Sequence, residues 1–166
     1  IAKLLNAQAS EIIFTSSATE ATNWILASAV KDLGIKRIIT TKIEHHATLH
    51  TVEHLAKEFG IHVEYITILP NGNIDYHDLA SKLHSDVPTL VSLIHVNNEI
   101  GTILDIKRVS DLCKYAKALF HCDTVQSIGK INLDVQDLGI DFLVASAHKF
   151  HGPKGIGFAF IKKNSM

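Results

Sequence analysis

The chain has 166 residues, 46% of them hydrophobic and 20% charged, with 16 basic against 17 acidic side chains for a formal net charge of -1. That balance suits one compact globular domain and provides no long-range field favouring nucleic acid or an anionic membrane, so small-molecule chemistry is the expectation. Cys113 and Cys122 are the only cysteines. Their spacing gives neither CxxC nor a four-ligand set, which excludes a disulfide framework or a zinc site of that kind and fits a reducing, cytoplasmic compartment. No apolar run reaches the roughly 18 residues needed to span a bilayer, and Ile1 to Ser10 do not read as a secretory leader. The sequence opens inside an amphipathic segment (Ile1, Leu4, Leu5) without an initiator methionine. The expectation is one domain over residues 1–166, truncated at both ends.

In chain order, short β-rich apolar runs fall at Ile12 to Thr15, Arg37 to Thr40, His62 to Thr67, Thr89 to His95, Leu119 to Asp123, Asp141 to Ser146 and Ile156 to Ile161. Helical periodicity occupies Ala21 to Lys31, Ala47 to Phe59, Asp75 to His84 and Ile106 to Ala118. Pro70-Asn71-Gly72-Asn73 is a turn signal, and Asp75 is a natural N-cap for the helix after it. Alternating strands and helices predict an α/β fold with a mainly parallel sheet. The near-continuous apolar run Leu90-Val91-Ser92-Leu93-Ile94 predicts helices on both faces. In such sheets ligands bind beyond the carboxyl ends of the strands. The polar clusters Thr15 to Thr19, Glu44 to His46, His95 to Glu99, Asp123 to Gln126 and Ser146 to Lys149 all follow predicted strands.

The segment Ser146-Ala147-His148-Lys149 follows an apolar strand and precedes a glycine-rich stretch, Gly152-Pro153-Lys154-Gly155-Ile156-Gly157. A lysine in low-dielectric surroundings loses its proton more readily and can attack a carbonyl as an amine, which suits a Schiff base. Taken alone, the segment reads more readily as a surface lysine before a Gly/Pro loop. Asp123 ends a strand, with Gln126 three residues later. A carboxylate there can pair with a protonated pyridine nitrogen and keep the ring an electron sink, or it can simply begin an Asx-turn or cap a helix.

Taken together, His95-Val96-Asn97-Asn98-Glu99-Ile100-Gly101-Thr102, His121-Cys122-Asp123-Thr124-Val125-Gln126-Ser127, and Ser146-Ala147-His148-Lys149 with its glycine-rich sequel resemble the successive signatures of NifS/IscS-type cysteine desulfurases. These enzymes have the class V aminotransferase fold. Upstream, Phe14-Thr15-Ser16-Ser17-Ala18-Thr19-Glu20 resembles their phosphate-binding turn, and Lys42-Ile43-Glu44-His45 their histidine motif. The resemblance covers essentially the whole chain and implies the large domain of a pyridoxal 5'-phosphate enzyme. It implies that Lys149 holds the cofactor as a Schiff base and moves protons, and that Asp123 keeps the ring nitrogen protonated. Gln126 would bond the phenolic oxygen, and His45 would stack on the ring. Thr19, Ser146 and His148 would contact the phosphate, with backbone N–H groups from Ala18 onward adding donors. Asn98 would orient the substrate carboxylate. L-cysteine is the implied substrate, an iron–sulfur scaffold or another sulfur-acceptor protein the implied partner, and a homodimer the implied assembly of the full-length enzyme.

Some positions depart from the family pattern. Ser17 and Ala147 stand where glycine is common, and a Cβ there would be strained if the local φ were positive. The thiolate that accepts sulfur in this family, on a mobile loop, is absent from this sequence, as is the arginine that binds the substrate carboxylate. Cys113 and Cys122 read as core residues, so the chain alone is expected to release no sulfide. His46, His50 and His54 recur every four residues and could in principle face a metal, but no supporting ligand motif accompanies them. A Ser146/His148/Asp123 hydrolase triad lacks GxSxG. A selenocysteine lyase or another enzyme of the same fold, and a non-catalytic binding module, are the alternatives.

Overall fold

A computed structural model describes residues 1–163 and Ser165. The strands are β1 (Ile12–Thr15), β2 (Arg37–Thr40), β3 (His62–Tyr65), β4 (Thr89–Ile94), β5 (Leu119–Asp123), β6 (Phe142–Ser146) and β7 (Gly157–Ile161). The helices are α1 (Ala2–Leu5), α2 (Ala18–Lys31), α3 (His46–Phe59), α4 (Tyr76–Leu83), α5 (Ile106–Tyr115) and α6 (Val135–Leu138). All strands join one seven-stranded sheet in the order β1-β7-β6-β5-β4-β2-β3. Strands β6, β5, β4, β2 and β3 run parallel, and β7 and β1 add antiparallel pairs at one edge.

The pleat explains why the central strands are apolar throughout. Every residue of β4 and β6 is buried. Leu90, Phe142 and Val144 pack under α2 and α3 on one face, and Val91, Leu93, Leu143 and Ala145 pack under α4 and α5 on the other. Helix α2 buries Ala18, Ala21, Thr22, Ile25, Leu26, Ala29 and Val30, the stripe expected of a helix lying on a sheet.

Asp75 caps α4 through the His77 and Asp78 N–H groups, as its position in the sequence suggests. Other boundaries move for local reasons. Helix α5 stops at Tyr115 rather than Ala118, because Lys117 takes a left-handed conformation (φ 56) that turns the chain into β5. Strand β3 ends at Tyr65, and the chain continues to an isolated bridge between Ile68 and Ile74. Helix α1 falls in the amphipathic segment at the start of the sequence, whereas α6 and the 3₁₀ turns Ala9–Glu11 and Ala147–Lys149 have no counterpart in the periodicity analysis, being too short to show a period.

One close approach sets the geometry at the carboxyl end of the sheet. A Cβ built on Gly157 would lie 2.6 Å from the Ser17 carbonyl carbon and 2.7 Å from the Ala145 oxygen. The turn before α2 therefore rests directly on the backbone of β7. Gly157→Ala should push the Ser16–Ser17 turn off the strand and cost about 1–3 kcal/mol, the usual range for overpacking a tight site. Urea unfolding of the parent and the variant measures the cost; an unchanged midpoint would show that the turn is free to move.

Candidate active site

Beyond the carboxyl ends of β4, β5 and β6, and against the first turn of α2, lies a cavity of about 500 Å³. That volume falls within the range of small-molecule and cofactor sites. Its lining includes Ala18, Thr19, His45, Asn98, Asp123, Gln126, Ser146, His148 and Lys149. All nine candidate residues named from the sequence are thus gathered around one space, although they come from separate loops.

The end formed by α2 is rich in donors. Ser17 caps the helix by accepting from the Glu20 N–H at 3.2 Å, and its φ of -170 is ordinary extended backbone, so serine is unstrained there. Ala147, the other departure from glycine, also avoids positive φ; the left-handed residues of the following loop are His151 and Gly155. The Ala18 N–H donates to Ser146 Oγ at 2.8 Å, which ties the helix terminus to the end of β6. The Ser146 hydroxyl keeps its own proton to donate. Among the described residues the Thr19 N–H has no acceptor, so it and the Thr19 hydroxyl are free donors at the positive end of a 14-residue helix. Such a terminus favours a phosphate or another anion.

At the inner end sits Asp123, 5% exposed. One of its oxygens accepts from the Val125 N–H at 2.9 Å. The turn-forming and pocket-facing readings of this residue therefore coexist, since the second oxygen is left for the cavity. Burial raises the Asp123 pKa, against the lowering effects of the Val125 N–H and of His45. His45 is the N-cap of α3, and its Nδ1 accepts from the Ala47 N–H at 3.1 Å. That bond places the proton of the neutral ring on Nε2. Asn97 braces the same region: its side-chain amide donates to the Ile43 carbonyl at 2.7 Å and its oxygen accepts from the Glu99 and Ile100 N–H groups. Asn98 donates to Glu99 at 2.6 Å on the rim.

Lys149 and His148 line the cavity from an exposed 3₁₀ turn. The low-dielectric setting anticipated for the lysine is therefore not supplied by burial. Among the described residues Ser146, His148 and Asp123 share no hydrogen bonds with one another, which removes the triad reading. The sequence did not single out Thr22, Ala47, Ile94, Glu99 or Val125, which complete the lining. Glu99 and Val125 stand inside the family-like segments His95 to Thr102 and His121 to Ser127.

Cys113 and Cys122 are both buried, and burial drives both thiols well above their ordinary pKa. Neither lines the cavity. His46, His50 and His54 lie along the exposed face of α3. The rings of His46 and His50 are 5.2 Å apart, and His54 pairs with Glu58 at 2.8 Å. No helix among the described residues is long and apolar enough to cross a membrane.

Similarity to known proteins points the same way as this geometry. The chain is 48% identical over 165 residues to a cysteine desulfurase IscS of Clostridium botulinum (strain Kyoto / Type A2), covering 98% of this chain and 41% of the relative. It thus spans about two fifths of that relative's length. Among solved structures, a NifS-like protein superposes with a TM-score of 0.91 at 41% identity, over 98% of this chain and 45% of the other. SspA in complex with cysteine gives a TM-score of 0.91 at 36% identity, over 99% of this chain and 48% of the other. The family model for aminotransferase class V matches residues 1–166. The chain belongs to the class V aminotransferase family.

Proposed function

We propose that this chain is the cofactor-binding part of a pyridoxal 5'-phosphate-dependent cysteine desulfurase, which converts L-cysteine to L-alanine and passes the sulfur to an enzyme thiol as a persulfide. The reading rests on one observation. A single cavity combines an amine (Lys149), a buried carboxylate (Asp123), an amide (Gln126), an imidazole (His45) and a donor-rich helix terminus. The similarity to cysteine desulfurases and to a structure holding cysteine supports it.

The residues fit the group chemically. The Thr19 N–H and hydroxyl and the Ser146 hydroxyl suit a phosphate, with His148 beside them. When bound, the cofactor would supply an aldehyde for amine capture and a conjugated ring able to take up electrons from the substrate α-carbon. Lys149 would provide the amine and shuttle a proton at Nζ. Asp123 would hold a proton on the ring nitrogen, and a cation there would offset the burial that disfavours its charge. Gln126 would donate to the phenolic oxygen, His45 would cover one ring face with Nε2–H free to exchange a proton, and Asn98 would orient the substrate carboxylate.

The acceptor thiol belongs to a part of the protein outside these residues, because Cys113 and Cys122 are buried and held as thiols. The same reading makes the protein a cytoplasmic homodimer that delivers sulfur to an iron–sulfur scaffold or another acceptor protein.

Borohydride reduction of the cofactor-loaded protein should leave a pyridoxyl group on Lys149. Peptide mapping that finds the label on Lys154 or another lysine overturns the assignment. Asp123→Ala should lower turnover by about 10²–10³, the range for removing one preorganised electrostatic group, while the protein still takes up cofactor. Sulfide release near the parent rate would remove Asp123 from the mechanism. Iodoacetamide should leave Cys113 and Cys122 unmodified in the native protein and label both after denaturation; rapid labelling of either in the native state would reopen it as a nucleophile.

A further inference from the structure

Behind the cavity, on the loop that joins β2 to α3, Glu44 is only 6% exposed. Its Oε1 accepts from the Thr41 hydroxyl at 2.6 Å. Its Oε2 is buried with no hydrogen-bond partner among the described residues. Glu44 also lines a second, small cavity of about 20 Å³ shared with Thr41, Ile94, Tyr76 and Thr102. That space suits a single water. A carboxylate in this position would be a buried charge with one oxygen short of a well-formed hydrogen bond, the Ile94 N–H being the donor on that side, and no cation among the described residues pairs with it.

The titratable groups around it form no ion pair with it; Lys42, His46 and Glu99 share a further cavity of about 250 Å³ with it. From β5 come the Asp123 carboxyl and the Cys122 thiol, both affected by burial in the direction of their protonated forms. From α4 comes the Tyr76 phenol across the small cavity. Immediately after β4, His95 is buried and burial lowers its pKa, so it brings no positive charge to this end of the sheet. On the same loop, Lys42 points outward to lie over the Tyr65 ring at 5.6 Å, and His45 turns into the cap of α3. Burial first, then the nearby Asp123, push the Glu44 pKa up to about 8 against the lowering effects of the Thr41 hydroxyl and the Ile94 N–H.

We propose that Glu44 is a positioning residue of the site: a neutral carboxylic acid that clamps the His45 loop from behind and leaves the negative charge of the inner wall to Asp123. Thr41 holds one end of the loop through Oε1, and Asn97 holds its middle through the Ile43 carbonyl. With Glu44 protonated, Asp123 can remain charged without a second carboxylate beside it. Ionising Glu44 sets two buried negative groups against each other, and the strain is relieved by letting the loop and His45 swing toward water. The positioning role rests on the cavity being a pyridoxal-phosphate site; the neutral acid does not.

The test uses the intact protein in two measurements. Infrared difference spectra of parent against Glu44→Gln apoprotein should show the carbonyl stretch of a neutral carboxylic acid near pH 7, fading as the pH rises through about 8. Spectrophotometric titration with pyridoxal phosphate should give Glu44→Gln, a neutral isostere, parent-like affinity near neutrality. By about pH 9.5 the parent should bind at least about threefold more weakly than the variant, because only the parent has a proton to lose there. Glu44→Ala, which removes the clamp, should bind about tenfold more weakly even at neutral pH while keeping the parent's circular dichroism. A parent without the carbonyl band near pH 7, or affinities of parent and Glu44→Gln that track each other across the range, overturns the proposal. If the band is present but neither protein binds the cofactor, the positioning role fails together with the cofactor reading, and the spectrum identifies which part failed.

Discussion

The hydrogen bond from the Ala18 N–H to Ser146 Oγ is where the two halves of the site are fixed to each other. Ser146 ends β6, and Ala18 begins α2, 128 positions earlier in the chain. The two can meet only because β7, whose first residue lacks a Cβ, lets the turn at Ser17 settle on its backbone. Everything at the anion-binding end of the cavity follows from that contact. It aims the first turn of α2 into the cavity, fixes the Ser146 hydroxyl, and sets the start of the exposed turn that carries His148 and Lys149. A looser contact would leave the same residues present without a shared focus.

The opposite end of the cavity is held by a different kind of constraint. Asp123 and Glu44 are two carboxyl groups in apolar surroundings, and burial raises the pKa of both. The linkage sign follows directly. An acid whose folded pKa is raised binds its proton longer in the folded state than in the unfolded one, so unfolding releases a proton and stability falls as pH rises. For Glu44 the loss runs from the ordinary glutamate value of about 4.5 to about 8. Both groups therefore weaken the fold at neutral pH, and an apolar pair would hold the same loops at less cost. Stability is given up at a place where charge and protonation are being controlled, which is the pattern expected of a functional site.

Much of this architecture was legible in the sequence, for identifiable reasons. The strands β4 and β6 announce themselves as buried by being apolar at successive positions, and the α2 stripe by its helical spacing. The polar clusters could be placed on one edge because in a mainly parallel sheet the carboxyl ends of the strands share an edge. That rule placed the clusters together, the family resemblance picked out Thr19, His45, Asn98, Asp123 and Lys149 within them, and these residues do line one cavity. Ambiguities about single residues were resolved by geometry. Asp123 proved able to turn the chain with one oxygen and face the cavity with the other, and Ser17 and Ala147 proved unstrained because neither takes a positive φ.

What the sequence could not show is what depends on burial. Glu44 looks like an ordinary charged neighbour of His45, since a one-dimensional pattern of polar residues after a strand marks a loop and loops are usually solvated. Its carboxyl is buried because Asn97, from the next loop along the edge, closes over the Ile43 carbonyl and draws the β2–α3 connection onto the end of β4. That contact links positions |i−j| = 54 apart, and neither residue advertises it. Lys149 illustrates the converse. The apolar strand before it suggested dry surroundings, yet the strand ends at Ser146 and the 3₁₀ turn carries the lysine back out to solvent. In both cases a residue's environment is decided by the direction in which a few backbone positions turn after a strand ends. Composition and periodicity do not encode that direction, whereas a Cβ-free position such as Gly157 or an amide clamp such as Asn97 does.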